Sequence, residues 1–219
     1  MIRIHTLLIG QPQTRTDAEG TWTSAIFRTP VAGPVLLTER GLAGDAVADT
    51  KNHGTPGQAV CCYPLAHYAA WNGEYGLTDP ARQLGPGSVG ENWTLSDMTE
   101  ADVCVGDVFA VGAARVQVTA PRIPCWKQGR KLGLPDFQRR TEETGRTGFY
   151  CAVLTSGLVA AGDAWALEAR PHPSLTIAAL NACAFATFDP VLARAALPAP
   201  ALLPVWRRLL QRRLTGRPE

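Results

Sequence analysis

The sequence predicts a mainly β fold with some α-helix: a β-barrel followed by a small C-terminal unit of three helices. Two observations support this. Short apolar and β-branched runs recur up to about residue 170, separated by Gly, Pro and Asp, and many short strands of this kind favour a barrel or a closed sandwich. Beyond that point the composition changes to alanine, leucine and proline. We therefore expect a barrel domain over residues 1–170 and a helical domain over residues 171–219.

Eight runs carry the strand prediction. Each is short, apolar or β-branched, and bounded by Gly, Pro or polar turn residues. Gly-Asp pairs at 106–107 and 162–163 lie between strand-like runs, and we interpret both as barrel hairpins. In chain order the runs are IRIHTLLIG (2–10), SAIFRTP (24–30), PVLLTER (34–40), QAVCCYP (58–64), VCVGDVFAVG (103–112), ARVQVTA (114–120), GFYCAVLTSG (148–157) and WALEARP (165–171).

Four helices are predicted. The first covers PLAHYAAWNGEYG (64–76), where Pro64 stands at the first turn and apolar residues recur near helical spacing. The other three cover residues 175–185, 190–196 and 201–214. Ser174 and Asp189 are suitable N-cap residues for two of them. The last helix has arginines on one face and apolar residues on the other, a pattern that fits either a solvated outer face or binding to membranes or acidic partners.

Composition and charge argue against several classes of protein. Hydrophobic residues make up 46% of the 219 residues and charged residues 18%, an ordinary globular composition. A net charge of +2 is too small to predict binding to a nucleic acid polymer, although a local basic pocket can hold a phosphate. Arg3 and His5 interrupt the apolar N-terminus, so no secretion signal is predicted. Pro and Asn break the uncharged run 171–188, and we expect no membrane span and a cytoplasmic protein.

The six cysteines are expected to stay reduced in the cytoplasm. None forms a CxxC pair, which argues against a structural zinc site. Adjacent Cys61 and Cys62 are expected to point to opposite faces of a strand. Cys125 lies in a different setting, the stretch VTAPRIPCWKQGRK. Within six residues of it are four cations: Arg122, Lys127, Arg130 and Lys131.

The local sequence around Cys125 favours its thiolate form. Pro121 should end the preceding strand, and Pro124 suits the first position of a helix, which would put Cys125 in the first turn. Nearby cations and the positive end of a helix both stabilise a thiolate. A buried Cys125 that serves only as a small hydrophobic residue remains the alternative interpretation.

Two glycine-rich stretches offer further polar candidates. In GLAGDAVADTKNHGTPGQAV (41–60), glycines let the backbone approach a ligand closely, and Asp45 and His53 are candidate ligand contacts. In GPGSVGENWTLSDM (85–98), Asn92 follows three glycines in a turn that could face a ligand. A surface histidine and an ordinary hairpin are the alternatives.

Five ordered blocks resemble the MOSC domain, the molybdenum cofactor sulfurase C-terminal domain, in its YiiM-like branch. The blocks are GLAGDAVADTKNHGTPGQAV, YPLAHYAAW, GENWT, VCVGDVFAVG and PRIPCWKQGR. The resemblance runs from about residue 35 to 170, and the helical tail is similar to the three-helix C-terminal domain of that branch. It implies a β-barrel that binds the molybdenum cofactor (molybdopterin), with the cysteine of the last block as thiolate ligand of the metal.

The resemblance also implies roles for particular residues of this chain. Cys125 takes the position of the metal ligand and catalytic cysteine. Arg122 and Arg130 match basic positions and are assigned to cofactor binding, since a guanidinium grips phosphate oxygens in pairs. We expect the cofactor pocket to be lined by Asp45, His53 and Asn92. Lys127 and Lys131 fit either electrostatic support or solvated surface positions.

The function implied is a molybdenum-dependent reductase of small N-hydroxylated compounds such as hydroxylaminopurine-type bases. No GxGxxG follows a predicted strand, so a separate flavoprotein electron donor is implied. Two alternatives stay open at this level. One is a non-enzymatic carrier that uses Cys125 to hold sulfur or cofactor, and the other is a cysteine hydrolase that pairs Cys125 with His53. The sequence also leaves open whether the chain forms a homodimer.

Overall fold

An eight-stranded curled sheet forms the body of the protein in the computed structural model, which describes residues 1–51 and 53–216. The strands are β1 (Arg3–Ile9), β2 (Gln13–Asp17), β3 (Gly20–Ser24), β4 (Thr29–Pro30), β5 (Val35–Thr38), β6 (Gly41–Leu42), β7 (Val60–Pro64), β8 (Trp93–Ser96), β9 (Val108–Val111), β10 (Ala114–Pro121), β11 (Phe149–Thr155), β12 (Gly157–Val159) and β13 (Trp165–Ala169). The helices are α1 (Ala66–Glu74), α2 (Trp126–Leu132), α3 (Phe137–Thr144), α4 (Ile177–Phe185), α5 (Pro190–Ala196) and α6 (Pro204–Thr215), and a short 3-10 helix covers Pro56–Gln58.

The large sheet has the strand order β13-β9-β10-β11-β7-β8-β1-β4. Its pairs are antiparallel except β7 and β8, which run parallel. Hydrogen bonds from Ile4 N to Asp163 O (3.0 Å) and from Trp165 N to Ile2 O (2.9 Å) link β1 to the start of β13. These bonds draw opposite ends of the sheet together, so it curls into a half-barrel. The predicted mainly β architecture with added helices is confirmed in this form.

Aromatic side chains fill the concave side of the sheet. Trp165 lies 5.6 Å from Trp93 and 4.9 Å from Phe109 between ring centroids, and its ring meets that of Phe149 edge-on. All four are at most 4% exposed. Burial of such large rings is the dominant favourable contribution to folding.

The three C-terminal helices pack against the sheet and share its core. Leu175, Ile177 and Leu210 belong to the same buried cluster as the sheet residues. The indole of Trp206 donates to the carbonyl of Pro121 at 2.8 Å and fixes α6 beside the end of β10. The division of the chain at residue 170 into two domains stays a prediction, and the apolar core runs across it.

The four predicted helices are present, but α3 was missed, and two predicted helix starts were wrong. Pro64 is the last residue of β7 and lies before α1, which begins at Ala66. The observed bounds of α5 match the predicted range, and Asp189 caps it by accepting from Val191 N and Leu192 N. Ser174 was the wrong cap for the preceding helix. That helix begins at Ile177, where the Thr176 side chain accepts from Ala179 N.

Several strand predictions need correction. Within SAIFRTP, Ser24 ends β3 and Thr29–Pro30 forms β4, while residues 25–28 are not in a strand. The Gly-Asp pair at 162–163 does not make a hairpin, because β12 pairs with β5 while β13 pairs with β9. The hairpin of β2 and β3 was missed, since its Thr-rich strands are mostly exposed and carry no apolar alternation. In the described residues no helix combines the length and the apolar character that a bilayer crossing requires.

Candidate functional site

A cleft opens beside Cys125, where the end of β10, the loop after β6 and the start of α2 meet. It has two adjoining chambers with open mouths. The inner chamber has a volume of about 70 Å³ and reaches Arg122 and Asn92, and the outer chamber has a volume of about 490 Å³ and extends to the start of α6. His53, Cys125 and Tyr150 line both chambers. A ligand in either chamber would therefore contact the Cys125 thiol region.

Cys125 is the most accessible of the six cysteines, all of which are free and lie in the described residues. The other five are buried. Proline ends the ladder of β10 at its last residue, Pro121, and the chain then turns so that Cys125 forms the N-cap of α2 with φ −134° and ψ 155°. Its backbone N–H donates to Gln128 Oε1 at 3.4 Å. The helix thus begins one residue after the cysteine, and Cys125 precedes the first turn.

Arg122 is a buried cation with an unmet donor. It is 6% exposed, it lines the inner chamber, and its Nη1 atom has no hydrogen-bond partner among the described residues. Its backbone N–H donates to Gly148 O at 3.0 Å, which fixes the residue at the sheet edge. A buried guanidinium left unpaired is costly, so the position is explained best by an anionic ligand in the chamber.

Asp45 lies behind the chamber wall and holds it together. It accepts two hydrogen bonds from the Arg28 guanidinium, both 2.8 Å, one from Asn92 Nδ2 at 3.0 Å and one from Gly10 N at 2.8 Å. The side chains of Arg28 and Asp45 are 9% and 10% exposed. Asp45 therefore positions Arg28 and Asn92, which line the inner chamber, while the carboxylate itself is absent from the lining.

His53 and Tyr150 are two hydrogen-bonding side chains that line both chambers. Burial lowers the pKa of His53, the nearby Arg122 charge lowers it further, and Asp49 opposes both effects. The imidazole is therefore neutral at pH 7. Burial raises the pKa of Tyr150, so its hydroxyl keeps its proton. That hydroxyl makes no hydrogen bond to the part of the chain that the structure describes, and it can donate to a ligand.

Arg130 lies outside the cleft, despite its closeness to Cys125 in sequence. Its guanidinium donates to Asp17 Oδ2 at 2.7 Å and to Gly20 O at 2.6 Å, in the hairpin of β2 and β3. It lies 5.3 Å from the ring of Trp22. The hydrogen bonds from Arg130 hold the pKa of Asp17 at about 2. The structure thus engages Arg130 in fastening the hairpin to α2 and does not bring it to the chamber lining.

The two lysines of the block differ in their positions. Lys127 lines both chambers and donates to Thr23 O at 3.0 Å. Lys131 points away from them and donates to the carbonyls of Ile26 and Gly87 at 2.8 and 2.6 Å. Burial lowers the pKa of Lys131 to about 8.

Arg28, Cys61 and Tyr150 are among the lining residues that sequence reasoning missed. Arg28 was assigned to a strand that ends up as a loop. Cys61 and Tyr150 are paired across β7 and β11. The prediction that Cys61 and Cys62 point to opposite faces of a strand was the one sequence signal that either cysteine could line a cleft. Cys62 instead lies next to Cys151, with 4.0 Å between the sulfur atoms.

The described lining of the cleft offers a thiol but no complete set of protein ligands for a metal ion. The described residues contain no group of three His, Cys, Asp or Glu side chains placed to bind a metal ion. One partly exposed thiol, an unpaired guanidinium and neutral hydrogen-bonding groups fit an anionic cofactor that carries its own metal ligands. Soft thiolates are suitable ligands for transition metals.

Comparison with known proteins places these features in a family. The MOSC domain model matches residues 49–166. Protein YflK of Bacillus subtilis is 38% identical over 175 residues, which are 80% of this chain and 77% of YflK. Protein YiiM of Escherichia coli is 35% identical over 198 residues, which are 90% of this chain and 87% of YiiM. A protein of Gibberella moniliformis named reductase is 34% identical over 160 residues, which are 72% of this chain but 28% of that longer protein.

The fold agrees with the sequence comparison. The crystal structure of YiiM from Geobacillus stearothermophilus superposes with a TM-score of 0.80 at 34% identity, covering 98% of this chain and all of the other. The resemblance seen in the five sequence blocks is thereby confirmed. The chain belongs to the MOSC domain family, which is associated with the molybdenum cofactor, and is YiiM-like within it.

Proposed function

We propose that this chain is a molybdenum-cofactor-dependent reductase of N-hydroxylated compounds, with hydroxylaminopurine-type bases as the substrate class and Cys125 as the thiolate ligand of the metal. The observation that carries the proposal is the pairing of a partly exposed thiol with a buried guanidinium. Cys125 and Arg122 line the same chamber, and Arg122 Nη1 lacks a partner among the described residues.

The residues of the inner chamber fit the cofactor. Arg122 offers a desolvated cation for an anionic group, and charge-assisted hydrogen bonds of this kind are the strong ones. Asn92 keeps its place through Asp45 and through the bond from Cys61 N to its Oδ1 at 3.1 Å. When bound, the cofactor supplies a centre that exchanges two electrons with the substrate.

The reaction is balanced by two electrons and two protons. The N–O bond of R–NHOH breaks, the nitrogen leaves as the amine, and the oxygen leaves as water. The electrons come from a reduced flavoprotein. The GxGxxG pattern at residues 85–90 follows α1 and leads into β8, so it lacks the strand before it and the helix after it that a dinucleotide-binding site needs. Tyr150 and neutral His53 are in place to donate hydrogen bonds to the leaving oxygen, and the two protons come from solvent at the open mouth of the cleft. The name of the Gibberella moniliformis relative, reductase, supports redox chemistry for this fold.

The first experiment measures molybdenum and pterin per chain after anaerobic purification from a host rich in the cofactor. It compares wild type, Cys125→Ser and a matched control, Cys104→Ser. Cys104 is buried and donates from its sulfur to Pro173 O at 3.5 Å, a bond that serine can keep. We expect near-stoichiometric metal in wild type and in the control, and a sharp fall in Cys125→Ser. Wild type that stays free of metal after reconstitution would overturn the proposal.

A turnover assay separates the reductase from the carrier alternative. The partly exposed position of Cys125 at a cleft mouth would also suit delivery of sulfur or cofactor to another protein. With reduced viologen as artificial donor, the reductase converts a hydroxylaminopurine steadily over many turnovers. Bound cofactor without turnover would instead favour the carrier.

A further inference from the structure

The outer chamber has features that cofactor binding at Arg122 does not use. Its walls come from residues 49–51 and 53–58, the start of α2 and residues 203–208 at the start of α6. Trp206 anchors this last wall through its bond to Pro121 O, so the chamber is a fixed part of the fold. At about 490 Å³ with its open mouth, it has room for a ligand of nucleotide size.

Trp126 gives the chamber an exposed aromatic surface directly after Cys125. The side chain is 50% exposed and lines the outer chamber. Its ring is held from elsewhere by Trp22, at 5.9 Å between centroids, and by the Arg130 guanidinium at 5.5 Å. An indole that is both held and exposed is suited to stacking against a flat ring, and base–aromatic stacking contributes about 1–3 kcal/mol per base.

The charge of the chamber is positive and partly unpaired. Lys51 and Arg208 line it, and within the described residues neither side chain forms a hydrogen bond or ion pair. Lys127 adds a third cation, and Asp49 is the one acidic residue of the lining. An anion with two negative charges matches this surplus, and an arginine can bind two phosphate oxygens at once.

We propose that the outer chamber binds N-hydroxylated nucleobases as their 5′-monophosphates, with Trp126 stacking on the base and Arg208 binding the phosphate. This inference rests on the proposed reductase function and narrows its substrate class from free bases to nucleotides. Lys51, which also lines the chamber, adds to the attraction.

A phosphate in this cleft has two possible sources, the substrate and the cofactor itself. Arg122 belongs to the inner chamber and Arg208 to the outer one. If Arg122 binds the phosphate of the cofactor and Arg208 binds the phosphate of the substrate, loss of Arg208 weakens nucleotide binding and leaves cofactor content unchanged.

The test measures binding of AMP and adenosine to the purified chain by isothermal titration calorimetry. Neither ligand carries an N–O bond, so the result does not depend on turnover. We expect AMP to bind about tenfold more tightly than adenosine, and Arg208→Ala to abolish that difference while adenosine binding stays the same. Arg208→Lys should keep part of the preference for AMP over adenosine. Arg212→Ala is the matched control, because Arg212 lies on the same helix but outside the outer chamber.

Three results would overturn the inference. The first is equal affinity of wild type for AMP and adenosine. The second is an equal loss of AMP affinity in Arg208→Ala and Arg212→Ala. The third is a fall of molybdenum and pterin content in Arg208→Ala, which would mean that Arg208 binds the phosphate of the cofactor. Trp126→Ala should weaken both ligands alike. A phosphate preference without reduction of hydroxylamino substrates would refute the reductase proposal alone, and reduction without the preference would refute this inference alone.

Discussion

Replacement of Arg122 by methionine should stabilise the cofactor-free protein while removing its ability to hold the cofactor. The guanidinium is 6% exposed and its Nη1 atom has no partner in the described part of the chain. A buried unsatisfied donor costs about 1–3 kcal/mol, and apolar replacements of buried charges are often neutral or stabilising. Methionine has a similar unbranched shape, and the backbone bond to Gly148 O is kept. We therefore expect a gain of about 1–3 kcal/mol in the free energy of unfolding.

The assay is urea unfolding of protein made in a host that lacks the cofactor, followed by metal and pterin analysis of protein made in a host that supplies it. Lys127→Met is the control, because it removes a cation of the same cleft that is only partly buried. We expect its stability to change by less than about 0.5 kcal/mol. An Arg122→Met protein that is less stable than wild type by more than about 1 kcal/mol would refute the reasoning, since it would mean that the guanidinium has structural partners.

Two further predictions concern the frame of the site. Asp45→Ala leaves the Arg28 guanidinium buried without its carboxylate, and it should lower the free energy of unfolding in urea by about 3–5 kcal/mol. Glu168→Ala, the control, breaks an exposed ion pair and should lower it by less than about 1 kcal/mol. Similar losses in the two variants would contradict the structural role of Asp45. His53 has a lowered pKa when folded, so below pH 6.5 the unfolded chain takes up a proton that the folded chain resists. Unfolding measured at pH 7.5 and 5.5 should show a larger loss of stability for wild type than for His53→Gln, and equal losses would show that folding does not perturb the imidazole.

Much of the secondary structure was predictable because it depends on neighbours in sequence. The alternation of apolar residues marks β10 and β11, and the cap at Asp189 sets the start of α5. The hairpin of β2 and β3 could not be predicted in this way, since it contacts α2 and buries few of its own side chains. Its stability comes from contacts with residues more than a hundred positions away, which no local pattern reveals.

The candidate site was predictable in part. Cys125 and Arg122 were identified by their block, and His53 and Asn92 came from glycine-rich loops that do reach the same cleft. Asp45 was expected in the lining and is instead the buried partner of Arg28. The sequence pattern of such a loop is the same whether its carboxylate faces a ligand in the cleft or pairs with a buried cation outside the lining.

The sequence by itself determined the family, the class of fold and the position of the cysteine directly after Pro124, because these depend on residue identity and on short-range backbone geometry. Only the tertiary structure decided which arginines face the cleft. Arg130 is close to Cys125 in the chain, yet Asp17 of the hairpin draws it away, while the curl of the sheet brings Arg28 to the chamber from a distant segment. The position of a charged side chain depends on where its oppositely charged partner lies, and long-range packing decides which partner is within reach.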